Sequence, residues 1–189
     1  MFRRMSTPEV RAAVAGDAAE IARIQQVTWR TAFADVLGEQ ALEQLSAVAE
    51  QQWAEAIAHP GTTVHVATEG EFTVGFCVAG PAPDEEVAAA SGELPEDAAR
   101  TGLIATLLVE PRWGRRGHGG RLLADAAQGL RQRGAERGII WVAESDSASL
   151  GFFRRAGWNP DGTVRTLDTG ERRLREIRLS GSLEIQLIG

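Results

Sequence analysis

The stretch Leu107-Leu108-Val109-Glu110-Pro111-Arg112-Trp113-Gly114-Arg115-Arg116-Gly117-His118-Gly119-Gly120-Arg121-Leu122-Leu123 decides how the chain is read. It closes the apolar run Gly102–Val109, Gly-Leu-Ile-Ala-Thr-Leu-Leu-Val, which predicts a strand buried on both faces. Pro111 then turns the chain, and four glycines with Arg115 and Arg116 lead into a helix expected from about Gly119 to Arg133. A loop this rich in glycine can aim its N–H groups at one point, where the unpaired N–H groups of the helix start also converge. That is an anion site, and the two guanidinium groups suit a phosphate or pyrophosphate. A P-loop needs Gly-Lys-Ser/Thr, but Gly119 is followed by Gly120-Arg121. The dinucleotide fingerprint fails as well, because Leu122 stands where its third glycine belongs. A glycine-rich turn that only caps the helix is the plainer alternative.

Upstream, Val10–Val14 reads as a first strand, and Asp17 with Glu20 has the spacing of an N-cap and its reciprocal partner. Ile21, Ile24, Val27 and Thr28 continue a helix to about Phe33. A second helix is expected over Glu39–Ile57, with Leu42, Leu45, Val48, Trp53 and Ile57 on its buried face and His59-Pro60-Gly61 ending it. Thr63–Thr68 and Phe72–Ala79, joined through Gly70, predict a hairpin. Pro81–Arg100 is acidic, Ala-rich and broken by Gly92 and Pro95, which predicts a long loop with at most a helical turn. Downstream come a strand over Gly138–Ala143, a helix over Ser147–Ala156, and strand-like segments from Gly162 to Ile188 with turns at Gly170 and Gly181. The fold class expected is α/β, a mixed, largely antiparallel central sheet flanked by helices, in one domain over residues 1–189.

The segments Leu107–Pro111 and Gly114–Gly119 overlay the L-x-V-x-P and Q/R-x-x-G-x-G/A pattern of the GCN5-related N-acetyltransferase family, and the chain resembles that family. Trp141-Val142-Ala143-Glu144-Ser145-Asp146, Ala148 and Phe152-Phe153-Arg154-Arg155-Ala156-Gly157-Trp158 are similar to its W-V-x-x-x-N-x-x-A-x-x-F-Y-x-x-x-G-F/W segment. Val10–Asp17 with Ile21 and Trp29 looks like its first strand and helix, and Val74-Gly75-Phe76 like its third strand. The resemblance implies a pyrophosphate of coenzyme A held by the amides of Gly114, Arg115, Arg116, Gly117, His118, Gly119 and Gly120. It implies a pantetheine arm paired with Leu107, Leu108 and Val109 like an added strand. A backbone N–H of that strand would stabilise the oxyanion, and the strand Ile139–Ala143 would splay away to open the slot. Asp146 and Phe153 complete the expected contacts with acetyl-CoA, although Asp146 reads equally as a plain N-cap of the helix that starts at Ser147.

The sequence departs from the pattern at three places. Gly114 replaces the family's Gln or Arg, Asp146 its asparagine, and Phe153 the tyrosine that protonates the departing thiolate; no tyrosine exists anywhere in the chain. The glutamate base of many relatives falls on Leu103. A thiol pKa of about 8.5 lets a thiolate leave without acid help, so the expected consequence is slower turnover. Glu144, at the end of the splayed strand, is the candidate base, with a solvated strand-end carboxylate as its bland reading. Glu110 is expected to face solvent. His118 is expected to pack or touch phosphate, and His65 and Cys77 to be structural. Trp29, Trp53 and Trp158 sit at core-like spacings, although Trp29 and Phe33 could line an acceptor pocket.

Composition narrows the remaining classes. A net charge of -6 is a poor footprint for nucleic acid or an anionic membrane. No apolar run reaches the ~18 residues of a span, and no h-region opens the chain, so a cytoplasmic location is expected. One cysteine and three scattered histidines argue against a disulfide framework, a zinc hydrolase or any metal site. The expected function is an acetyl-CoA-dependent N-acetyltransferase acting on a primary amine of a small molecule, peptide or protein. The acidic clusters of the long loop would suit a cationic acceptor, with carboxylates that simply keep the loop soluble as the plainer reading. The alternative is a catalytically weak or inactive acyl-CoA-binding protein of the same fold, serving as sensor or partner; a nucleotide without a thioester is a third. Arg175–Leu179 and Leu183–Ile188 offer an edge for a homodimer.

Overall fold

The computed structural model describes residues 7–170 and 172–186, and the side chains of all of these but 32–37. Seven strands form one sheet in the order β1-β2-β3-β4-β5-β7-β6. They are β1 (Pro8–Ala12), β2 (Thr63–Glu69), β3 (Phe72–Pro81), β4 (Thr101–Val109), β5 (Arg137–Ala143), β6 (Asn159–Asp168) and β7 (Arg173–Ser182). Helices α1 (Ala18–Leu37) and α2 (Glu39–Ala58) precede β2, a one-turn α3 (Asp84–Val87) interrupts the long loop, and α4 (His118–Gln132) and α5 (Ser147–Arg155) flank β5. No helix among the described residues is long and apolar enough to cross a membrane.

Helices cover both faces of the sheet because each face presents its own apolar set. On one side Leu122, Leu123, Ala126, Ala127 and Leu130 of α4 pack with Val74, Ile104, Ile140 and Phe153. On the other, Ile21 and Ile24 of α1 meet Val64, Val66, Phe76 and Val78, with Trp53 edge-on to Phe76 at 4.9 Å.

Every strand pair is antiparallel except β4–β5, and that parallel pairing lasts for only Thr101↔Arg137, Gly102↔Gly138 and Leu103↔Ile139. Beyond Leu103 the two strands part, and β5 stays paired with β7 alone up to Ala143. At the same place β4 carries a bulge: Ile104 faces Ala79 and Thr106 faces Val78, so Ala105 is the extra residue. The expectation of a strand buried on both faces therefore holds to Ile104 and fails beyond it. Ala105 is exposed and Leu107–Val109 are half-buried, because the neighbour that would cover them has left.

Several local expectations change in the folded chain. Asp17 does not cap α1. It ends a 3-10 turn (Ala15–Asp17) and reaches back to accept from Val14 N–H at 2.8 Å, held by both Nη atoms of Arg11 at 2.7 and 2.9 Å. Glu20 pairs with Arg23 instead. On α2, Leu42 and Ala49 are buried while Leu45 and Val48 are exposed, so the apolar face is rotated from the one expected. Gly181 is not a turn residue but lies inside β7, opposite Gly138. The C-terminal strand offers no free edge, since β7 sits between β5 and β6 and the sheet's edges are β1 and β6. Leu183–Gln186 form no strand, and Leu187 and Ile188 lie outside the described residues.

All 20 basic residues are arginines, whose forked donors suit carboxylates. Arg137 holds Asp97 with Nε–Oδ2 at 2.7 Å and Nη2–Oδ1 at 3.0 Å, tying the long loop to β5. The guanidinium pulls the Asp97 carboxyl below its ordinary 3.8. A lowered carboxyl pKa stabilises the fold above the unfolded value, and that contribution fades as pH falls through the folded value. Asp97→Asn is therefore expected to lower Tm at about pH 7, with the gap to wild type closing as pH falls below the ordinary carboxyl value of 3.8 in scanning calorimetry.

Candidate active site

The parting of β4 and β5 opens a cleft, and two cavities meet in it. The larger, about 750 Å³, is lined by Leu107–Val109, the glycine-rich loop, the start of α4 and one face of α5 from Ala148 to Arg155. The smaller, about 310 Å³, lies toward α1, α2 and β7. Leu107, Leu108, Asp146, Ser149 and Phe153 border both.

Strand alternation sets which backbone groups face the cleft. Glu110 N–H donates to Val74 O at 2.8 Å, so Leu108 and Thr106, two and four residues back, also turn toward β3. Leu107 and Val109 therefore direct N–H and C=O to the side β5 has vacated.

The loop continues from this open edge. A 3-10 turn (Pro111–Trp113) is followed by Arg115 at φ 62° and Gly117 at φ 82°, two left-handed positions flanking Arg116. Alternating handedness of this kind points successive N–H groups inward as an anion nest. α4 starts at His118, and its first ladder bond to Gly117 O comes from Arg121, which leaves the N–H groups of His118, Gly119 and Gly120 without a helical acceptor. Their dipoles add to the nest.

Of the residues the sequence reading assigned to a cofactor, all but Arg116 border the larger cavity. Arg116 turns outward to Glu69 at 3.3 Å and over the Trp113 ring at 5.0 Å. Arg121 and Arg155 also border that cavity, and no motif had marked them. Thr28 joins them from α1, its hydroxyl buried without a partner among the described residues. His118 is 1% exposed and its Nε2 lies 2.8 Å from Glu69 Oε2, so its imidazole packs beneath the loop while its amide joins the nest.

The catalytic candidates sort differently. Phe153 is 2% exposed and stands where the cavities meet, packed on Phe152 and Trp158. Asp146 caps α5, accepting from Ser149 N–H at 3.0 Å and Ser149 Oγ–H at 2.6 Å. Leu103 sits where β4 and β5 are still joined and borders neither cavity. Glu144 also borders neither; half-exposed, it lies 3.5 Å from Arg175. Glu110 does not face solvent. It is 5% exposed and takes Arg112 at 2.8 Å and Arg23 at 3.2 Å, because the turn at Pro111 folds it under the loop. His65 is buried against Asp125 at 2.7 Å, and burial pushes the Cys77 thiol up. Trp29 does border the smaller cavity, whereas the Phe33 side chain lies outside the described residues. The residue sequence reading missed is Glu176 of β7, a carboxylate on the smaller cavity's wall. Its only trace in sequence is the alternation Leu174-Arg175-Glu176, which places it on one face with Leu174.

Solved structures share this architecture. PaiA N-acetyltransferase from Thermoplasma acidophilum, solved in complex with coenzyme A, superposes with a TM-score of 0.73 at 13% identity, covering 93% of this chain and 99% of its own. A GCN5-related N-acetyltransferase from Rhodopseudomonas palustris gives 0.68 at 21% identity over 96% and 99%. YncA of Salmonella typhimurium, a putative acetyltransferase solved with acetyl-CoA, gives 0.65 at 18% identity over 96% of each chain. No curated protein gives a significant sequence match. The family model for the acetyltransferase (GNAT) family matches residues 20–158. That range runs from α1 to Trp158 and so takes in the bulged strand, the nest and both helices beside the cleft: the chain belongs to the GNAT acetyltransferase family.

Proposed function

We propose that the protein is an acetyl-CoA-dependent N-acetyltransferase that acetylates a primary amine by direct attack on the thioester. The observation that carries this reading is the continuity of the open edge of Leu107 and Val109 with the N–H nest at Arg115–Gly120. An extended arm ending in a pyrophosphate needs that order of groups. The edge can pair with the amides of the arm, and the nest with Arg115, Arg121 and Arg155 meets the phosphate charge.

At the junction of the cavities a backbone N–H of Leu107 or Val109 is free to polarise a carbonyl and hold the developing oxyanion. An acceptor that arrives as an ammonium first gives one proton to water; the neutral amine then attacks the carbonyl carbon, a C–N bond forms, and the C–S bond breaks. The nitrogen loses its proton to water, and the thiolate leaves as such or takes one from solvent. Phe153 has no proton to give, so the chain relies on proximity, which can supply more than a positioned acid.

Glu144 does not serve as the base in this scheme, because it faces solvent beside Arg175. Glu144→Gln is expected to keep kcat/KM within about twofold of wild type in a thiol-release assay, below the smallest effect of losing a positioned base. The function itself is tested by calorimetric titration with acetyl-CoA, using ATP and NAD as controls, followed by an amine screen. Binding of acetyl-CoA with turnover supports the enzyme. Binding without turnover of any amine favours the acyl-CoA-binding alternative that Phe153 motivates. No binding removes both.

A further inference from the structure

We infer that the acceptor is a small primary amine with an uncharged apolar body, its ammonium received by Glu176. The inference rests on the N-acetyltransferase reading and specifies the substrate class of the smaller cavity. Trp29, Leu45, Trp141, Leu167 and Leu174 form apolar walls of that cavity, and among the described residues no arginine borders it. Leu45 and Leu167 are 41% and 39% exposed, large apolar side chains held at its rim rather than in the core. The volume, about 310 Å³, stands at the small end of ligand sites.

One carboxylate on these walls is open to a cation. Glu176 lies beside Ala143 at the end of β5 and opposite Arg165 of β6, and its side chain is 13% exposed. Its Oε1 accepts from Arg165 Nε at 2.7 Å, while Oε2 accepts no hydrogen bond among the described residues. Arg165 cannot neutralise it alone, because its Nη1 also binds both oxygens of Glu86, at 3.0 and 3.3 Å. One guanidinium thus serves two carboxylates, which leaves a net negative charge on the wall. The same guanidinium stacks on Trp141 at 4.2 Å, which fixes Glu176 in place. Asp146, the other carboxylate at the cavity, is consumed by Ser149.

An ammonium at Glu176 is compensated, and an aromatic or branched aliphatic body fills the walls. A polyamine would leave further ammonium groups unpaired against apolar surface. A peptide would have to bring its amides there as well.

The test compares kcat/KM for 2-phenylethylamine and isoamylamine against spermidine and an alanine-terminated tetrapeptide. Thiol release from acetyl-CoA is the readout, and the chain, having no lysine, offers no side-chain amine of its own. The apolar amines are expected to exceed the others by about 30-fold, the scale of discrimination a pocket supplies. Glu176→Gln is expected to raise amine KM about tenfold with the KM for acetyl-CoA within twofold, as for loss of a binding contact. A merely structural Glu176 would instead move Tm and the acetyl-CoA KM too. Leu45→Arg, on an exposed helix position, is expected to raise amine KM without altering the fold. Preference for spermidine or the tetrapeptide, or an unchanged amine KM in Glu176→Gln, overturns the inference and leaves the N-acetyltransferase standing. Failure to bind acetyl-CoA overturns both.

Discussion

Gly181→Ala is expected to destabilise the protein by about 3 kcal/mol, the upper part of the range for overpacking, and to lower Tm by about 6–12 °C for a chain of this size. The cause is Trp158. Its ring, fully buried, lies flat over Gly138 and Gly181, which face each other across β5 and β7. A methyl group at Gly181 would stand 2.6 Å from Trp158 Cγ, and one at Gly138 would stand 2.7 Å from Cζ2. The indole cannot retreat, because Nε1 donates to Ser182 O at 3.0 Å and the Trp158 backbone N–H donates to Phe153 O at 2.9 Å. Leu183 closes the other side of Gly138. The added methyl must therefore displace backbone. Gly129→Ala serves as the control: nothing lies within 4 Å of its new Cβ in α4, and a helix gains up to about 1 kcal/mol from that exchange. Thermal melts of the two variants should move in opposite directions. Equal melts would refute the account.

Gly117→Asp is expected to weaken acetyl-CoA binding about 100-fold, or 2.7 kcal/mol, while Gly117→Asn costs only a few-fold. Gly117 is the residue before α4 and holds φ 82°, a conformation that Asn and Asp tolerate better than other side chains. The two substitutions have the same shape and strain the backbone equally, so their difference reports charge alone. A carboxylate there would stand beside the Arg121 guanidinium, whose Nη1 lies 3.3 Å from the new Cβ, and would draw that cation off the phosphates while repelling an incoming pyrophosphate across a few ångström. At an effective dielectric of about 20, that separation costs several kcal/mol. Calorimetric titration of both variants with acetyl-CoA reads the ratio directly, and a ratio near one would mean that the nest does not hold the phosphates. The ratio should shrink in high salt, since the loop is open to solvent and screened.

The elements that a reader of the sequence could place are those whose signals are local. The hairpin at Gly70, the strand before Pro111, the helix carrying Leu122, Leu123 and Ala126, and the Asp146 cap all depend on residues within one turn of each other. The nest belongs with them in part, since left-handed Gly117 and the helix-start amides follow from the order of glycines, whereas the left-handed Arg115 carries no such signal. The sequence misleads where a residue's partner lies outside the spacing being read. Asp17 has a capping spacing, yet Arg11 and Val14 claim its carboxylate. Glu110 follows an apolar strand and precedes a polar loop, but Arg23, 87 residues away in sequence, meets it under the fold. Gly181 resembles a turn glycine, and the reason it is glycine is the Trp158 ring.

The cleft shows the division most plainly. The residues Leu107–Gly120 carry their own description as a strand edge leading to an anion nest, because backbone geometry there is dictated by proline and glycine. The family resemblance implies that Ile139–Ala143 splays, but no pattern within Thr101–Val109 or Arg137–Ala143 fixes the end of their pairing after three residues. That ending follows from the bulge at Ala105 and from the pull of β7 on β5, both of which exist only once the sheet is assembled. The acceptor side of the cleft is a product of the same assembly. Trp29, Leu45, Trp141 and Glu176 come from α1, α2, β5 and β7, and no spacing within the chain announces that four separate elements will share one wall.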